Sequence, residues 1–272
     1  MMRIWTILCA GSLIGCTKAT PVEQSYISFD GHTIAYLDKG VRDAPVVLML
    51  HGLTGNAERN FEQTGLIAQM TAQGFRVIAP DLRGHGGSAI DNTPENWPVD
   101  AMVQDQITLL QHLEAEPHAV VGYSMGALVA LRLQVLETPA QRLVLGGMGD
   151  KTAIIGDRAR HDAIAALLGR VSNGETGQME TRISAMLAAS KSTADSVAGS
   201  LRHRMTVTRE ELAEMSIPVL VINGDADFDN GDGAALAAML PNAQFETHPG
   251  DHLSVLGDPD YGARIVAFVA ED

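Results

Sequence analysis

The sequence predicts an α/β protein in which strands and helices alternate around a mostly parallel sheet, and three observations lead there. Short apolar runs of strand length recur along the chain, and segments of helical period separate them. Hydrophobic residues make up 46% of the 272 residues, with no long low-complexity or single-charge tract to interrupt a compact body. That length suffices for one large α/β domain, or for a core domain carrying an insertion. The net charge of -14 argues against nucleic acid as a partner, because phosphate binding draws on clustered Lys and Arg that the chain lacks. It also disfavours broad electrostatic attachment to a membrane.

The chain opens with "MMRIWTILCAGSLIGCTKAT": Arg3, an apolar run from Ile4 to Ile14, then Gly15 and Cys16. The run is short for a bilayer span and has the length of a signal-peptide apolar core. Leu13, Ile14, Gly15 and Cys16 resemble the lipobox of bacterial lipoproteins. The resemblance implies cleavage before Cys16, acylation of that cysteine with a fatty acid such as palmitate, and a lipid anchor in the membrane of the bacterial cell envelope. It also implies that Thr17 permits transfer to the outer membrane if the cell is Gram-negative. Residues 1–15 are then the signal peptide and 16–24 a tether. An ordinary cleaved signal and a misplaced start codon are the alternatives, although no A-x-A-like site competes. Processing would discard Cys9 and leave Cys16 as the one cysteine, so the mature chain would form no internal disulfide.

Next, "SYISFDGHTIAYLDKG" reads as a hairpin, two alternating runs around the turn Asp30-Gly31. Four apolar runs follow that have the continuous character of buried parallel strands: "PVVLMLH", "FRVIAPD", "HAVVGYS" and "RLVLGGM". Helical segments lie between them, over Ala57 to Gln73, Val99 to Glu114 and Met125 to Glu137. From Asp150 to Met215 there is no strand-like run; Ala and charged residues dominate, and "SNGETG" is the strongest break, so several short helices forming an insertion are expected. After Pro218, "PVLVING" resumes the strands. "ALAAMLP" ends a helix, "AQFETHP" is a last strand and "DPDYGARIVAFVA" a closing helix. The core then comprises residues 25–149 and 216–272, and the insertion residues 150–215.

Gly122, Tyr123, Ser124, Met125 and Gly126 form G-x-S-x-G after a strand and before a helix. A serine on so sharp a turn is held in a strained backbone and lifted from the sheet toward the unpaired N–H groups of the helix start, where flanking glycines avoid a clash. Taken alone, the pentad could equally be a serine cap in a glycine-rich turn. A nucleophile needs a base, and His252 in "PGDHLSVL" lies in the loop after the last strand, where such sheets place functional groups. His248 is expected to end that strand, and His112, His118, His161 and His203 to be surface or helix residues. In "VINGDADF" both Asp225 and Asp227 are loop carboxylates able to orient the histidine, and the order Ser, Asp, His suits hydrolases of this topology. "LMLHGLTG" supplies a loop for the second oxyanion donor; the backbone N–H groups of Leu53 and Met125 are the candidates, with Gly52 letting the backbone approach.

With these motifs in place the chain resembles the α/β-hydrolase superfamily, from about Ser25 to Val269. His51-Gly52-Leu53 is similar to the family's H-G-x oxyanion loop, Pro80 to Ser88 to its D-x-R-G-x-G-x-S segment, and Gly122 to Gly126 to its nucleophile elbow. The resemblance implies a mostly parallel eight-stranded sheet flanked by helices, with residues 150–215 as a helical cap. In the family's G-x-x-D spacing, Gly224 points to Asp227, which leaves Asp225 to cap the loop. Asp251 stands where a glycine is common before the histidine. His51 is implied to support the oxyanion loop, His85 to be structural, and Asp81 and Arg83 to be scaffold ions.

The function implied is a serine hydrolase cleaving a carboxylic ester or related acyl bond through an acyl-enzyme on Ser124, with His252 as base and Asp227 orienting it. No metal and no organic cofactor is called for, and the partner is a small acyl substrate. The same triad serves aminopeptidase, lactonase, C–C hydrolase and haloperoxidase chemistry, and some members of the fold only bind. Dehalogenases and epoxide hydrolases fit less well, because related members carry Asp where this chain has Ser124. The insertion has no Trp, Phe or Tyr, which weakly favours a flexible aliphatic acyl group, although an aliphatic helix face serves packing by default.

Overall fold

The chain is described from a computed structural model that covers residues 24–136, 140–203 and 205–271. The signal segment, Cys16 and the tether up to residue 23 lie outside the described residues. The hairpin forms from β1 (Gln24–Ile27) and β2 (Thr33–Lys39), antiparallel, with Ile27 opposite Thr33. Its first strand therefore takes up Gln24, the last residue assigned to the tether. β3 (Val46–Leu50), β4 (Arg76–Pro80), β5 (Pro117–Tyr123), β6 (Arg142–Gly146), β7 (Val219–Gly224) and β8 (Ala243–His248) complete one sheet in the order β1-β2-β4-β3-β5-β6-β7-β8. β2 meets β4 antiparallel, and every pairing from β4 to β8 is parallel.

Every residue of β3, β4, β6 and β7 is buried, which is why those strands read as unbroken apolar runs. Alternate residues serve opposite faces: Val46, Leu48 and Leu50 join one apolar layer, and Val47 and Met49 the other. The helices α1 (Leu66–Ala72), α2 (Ala101–His112) and α3 (Met125–Val135) connect the early strands. α2 and α3 bury Leu109 and Leu131 in the first layer, whereas α1 buries Met70 in the second.

One expected helix is broken. The run from Ala57 to Gln73 contains a π-helical turn, Glu58–Glu62, then α1. The break falls at Gly65, whose φ of 83° leaves helical space, while the Thr64 hydroxyl bonds back to the Asn60 carbonyl at 2.9 Å. The period continues across the break because Phe61, Leu66, Ile67 and Met70 are all buried.

Between β6 and β7 stand α4 (Arg158–Ser172), α5 (Gln178–Ala189), α6 (Ala194–Gly199) and α7 (Arg209–Glu214). Leu168, Leu187, Ala194 and Val197 give this insertion a small apolar centre of its own. Serines fasten it to the sheet loops: Gly86 N–H donates to Ser192 Oγ at 2.9 Å, and Ser196 Oγ exchanges bonds with the Ile90 N–H and carbonyl at 3.0 and 2.9 Å. α8 (Gly233–Ala237) follows β7. α9 (Pro259–Val269) closes the chain, with Phe268 and Val269 fully buried beneath the sheet.

Candidate active site

The loops after β3, β5, β7 and β8 meet at the carboxyl ends of the parallel strands, the edge at which such sheets present functional groups. Ser124 joins β5 to α3 with φ 51° and ψ -115°, a conformation rare for a side chain other than glycine's. Close crossing imposes the turn: a Cβ on Gly122 would lie on the Gly126 carbonyl, and one on Gly126 on the Leu50 carbonyl. The Ser124 N–H is held by the Gly146 carbonyl at 2.8 Å.

His252 Nε2 lies 3.0 Å from Ser124 Oγ, and its Nδ1 lies 2.8 Å from Asp227 Oδ2. The Asp227 side chain is 2% exposed and that of His252 15%, so the pair is shielded while Ser124 stays open to a cavity. Asp229 N–H donates to the other Asp227 oxygen at 3.2 Å. Tyr123 holds the histidine from behind: its hydroxyl donates to the His252 carbonyl, and the two rings are 5.4 Å apart. Burial pushes the Tyr123 phenol well above its usual range, so it stays a donor.

Asp225 does not reach the histidine; its carboxylate accepts the Gly250 N–H at 3.0 Å and ties the two loops together. Asp251 is likewise occupied. Hydrogen bonds from the Ser254 N–H and hydroxyl and from the Leu253 N–H hold its carboxyl down at about 2. The carboxylate that replaces a glycine is therefore a turn cap. His248 ends β8.

The loop after β3 brings Leu53 to the same cavity. A Cβ on Gly52 would sit 3.4 Å from that of Ser124. The Gly52 N–H donates to Asn60 Oδ1 at 3.2 Å, and its carbonyl receives His51 Nδ1 at 2.8 Å and the Gly55 N–H at 3.0 Å. With both polar groups of Gly52 fixed, the next N–H, that of Leu53, has no partner among the described residues; the same holds for Met125 N–H at the start of α3. Asn60 gave no signal in the sequence, because it sits in what reads as an ordinary helix. Asn223, inside β7, and Asn230, in the loop after it, were missed as well: they bond Met148 and the Gly147 carbonyl and so fix the Asp227 loop against the end of β6.

The remaining motif residues hold the frame. Asp81 accepts the Ala57 and Gly87 N–H groups at 2.9 Å each. Arg83, fully buried, donates to Asp105 and Asp30 through two edges of its guanidinium. His51 Nε2 accepts the Leu82 N–H at 2.9 Å, and its ring meets that of His85 edge-on at 5.1 Å. The cavity beside Ser124 is about 560 Å³, walled by α4, α5 and the segment after α6; His161 and His203, expected as plain surface or helix residues, line it.

A strained serine elbow, a histidine and carboxylate behind it and unpaired N–H groups in front define a hydrolase-type site on an α/β sheet. The alpha/beta hydrolase family model matches residues 47–265, and the chain belongs to that family. It is similar to a crystal structure of a hydrolase from Pseudomonas aeruginosa PA01, with a TM-score of 0.76 and 25% identity, over 93% of this chain and 100% of the other. Among curated relatives, 3-oxoadipate enol-lactonase 1 of Acinetobacter baylyi is 27% identical over 85% of this chain and 90% of its own. The magnesium-chelatase 30 kDa subunit of Rhodobacter capsulatus is 42% identical, but over 40% of this chain and 36% of its own length. The chain spans 35 to 41% of the length of five such relatives.

Proposed function

We propose that the protein is a serine hydrolase of carboxylic esters, acting through an acyl-enzyme on Ser124. The observation that carries this is the continuous relay from Ser124 Oγ to His252 Nε2 at 3.0 Å and from His252 Nδ1 to Asp227 at 2.8 Å. His252 takes the serine proton as Oγ attacks the carbonyl carbon; Asp227 keeps the proton on Nδ1 and stabilises the imidazolium. The N–H groups of Leu53 and Met125 receive the charge on the former carbonyl oxygen. His252 then protonates the departing alkoxide, and water, deprotonated by the same nitrogen, releases the acid. A lactone is the second substrate form, favoured by the similarity to the enol-lactonase.

Incubation with a fluorophosphonate probe tests the assignment. Wild-type protein should label and Ser124→Ala should not; absence of labelling in folded wild type would reject it. We also propose export and lipid attachment at Cys16, supported by the Leu13 to Cys16 tetrad. Globomycin or Cys16→Ser should block processing, and unchanged maturation would contradict the anchor. Among the described residues no helix is long and apolar enough to cross a membrane.

A further inference from the structure

We propose that the cavity beside Ser124 is an acyl-chain subsite for an unbranched aliphatic ester of medium length, and that the Leu53 side chain couples its filling to the oxyanion hole. The proposal rests on the reading of Ser124 as acyl acceptor. Ile164, Leu167 and Leu168 project from one face of α4, and Ile183 and Met186 from α5, onto the same space. Yet Leu168 is the one buried residue of α4, and Leu187 the one buried apolar residue of α5. The two helices thus leave apolar side chains half-buried around an open volume, where a packed interior would close it.

The walls suit a flexible chain. Residues 150–215 contain no Phe, Trp or Tyr, and Tyr123, which also lines the space, has its hydroxyl committed to His252. Aliphatic and thioether side chains follow a flexible chain more readily than a flat ring. Charged lining groups are engaged or exposed: Asp157 caps α4, Arg160 pairs with Asp229 at 3.4 Å, Asp251 holds its turn, and Arg182 and His203 are exposed. At about 30 Å³ per non-hydrogen atom, the share of a water in the liquid, the cavity of about 560 Å³ takes roughly 19 such atoms, enough for an octanoyl chain with a p-nitrophenyl leaving group still attached toward its mouth.

Leu53 links the two sites. Its side chain packs on the apolar centre of the insertion, with Leu168, Ile164, Ile183 and Leu201, while its N–H is one of the two oxyanion donors. A chain seated against that cluster bears on the residue whose backbone meets the developing charge, so chain length should act on kcat as well as KM.

The test is a p-nitrophenyl ester series from acetate to dodecanoate on the wild type, Leu53→Ala and Ile183→Trp. We expect kcat/KM to climb toward octanoate, by at most about fourfold per methylene from 0.8 kcal/mol each, and then to level or fall. Leu53→Ala keeps the N–H and should lower kcat for octanoate about fivefold or more beyond its effect on acetate. Ile183→Trp should move the optimum to a shorter chain; if it fails to fold, Ile183→Ala should move it to a longer one. A flat series, or a p-nitrophenyl hemisuccinate cleaved faster than octanoate, would overturn the subsite, and equal losses in Leu53→Ala would overturn the coupling. Absence of cleavage of every ester together with absence of fluorophosphonate labelling would instead reject the reading of Ser124.

Discussion

His51 keeps Nε2 unprotonated because that atom accepts the Leu82 N–H, leaving Nδ1–H for the Gly52 carbonyl. Burial holds its imidazole down at about 4, and burial and the neighbouring His51 hold His85 at about 3. Both are therefore neutral in the fold where an unfolded histidine, at 6.5, is protonated. Below that pH the unfolded chain binds more protons, so the fold loses up to about 1.4 kcal/mol per pH unit from each as pH falls toward 4, and neither contributes above it. The Asp81 and Asp105 carboxyls, raised by burial, act in the opposite sense. Ring ¹⁵N spectra at pH 5.5 should show His51 neutral with its proton on Nδ1; a protonated ring would contradict the loop geometry. Asn60 is a positioning residue. Asn60→Ala should release Gly52 and lower kcat about tenfold to a hundredfold with little change in KM, checked by steady-state kinetics.

At the scale of elements, the insertion is tied to the core by many side-chain bonds, of which the buried ones at its serines should matter most. Ser196→Ala removes two bonds and strands the buried Ile90 N–H and carbonyl; a loss of about 2 kcal/mol in urea unfolding is expected, and no loss would show that water replaces the hydroxyl. The strands were legible because burial on both faces leaves continuous apolar runs, as in "VVLML". The elbow was legible because only glycine fits where α3 crosses β5 and β3, whereas Asp227 was set apart from Asp225 only by resemblance to the family's G-x-x-D spacing from Gly224. What escaped was local. The period of residues 57–73 concealed a break, since α1 resumes on the same face after Gly65. Asn60, Asn223 and Asn230 act through one or two side-chain bonds each, and Asp251 through a turn, none of which leaves a periodic mark.

For the whole molecule, Arg83 joins three remote parts: Asp30 in the hairpin turn, Asp105 on α2 and the loop it occupies. Both Arg83 and Asp105 are fully buried, so Arg83→Leu should cost about 3–5 kcal/mol by stranding the carboxylate, and adding Asp105→Leu should recover part of it, as read by denaturant unfolding. That buried pair ties the hairpin and α2 to the loop after β4, while the β3, β5, β7 and β8 loops converge on Ser124. The most direct test of that convergence is intact-mass analysis of full-length protein acid-quenched during turnover of p-nitrophenyl acetate. The relay predicts one added acetyl group, mapped to the peptide containing Ser124 and absent from Ser124→Ala; turnover with no acyl adduct on Ser124, or with the adduct on another residue, would contradict it.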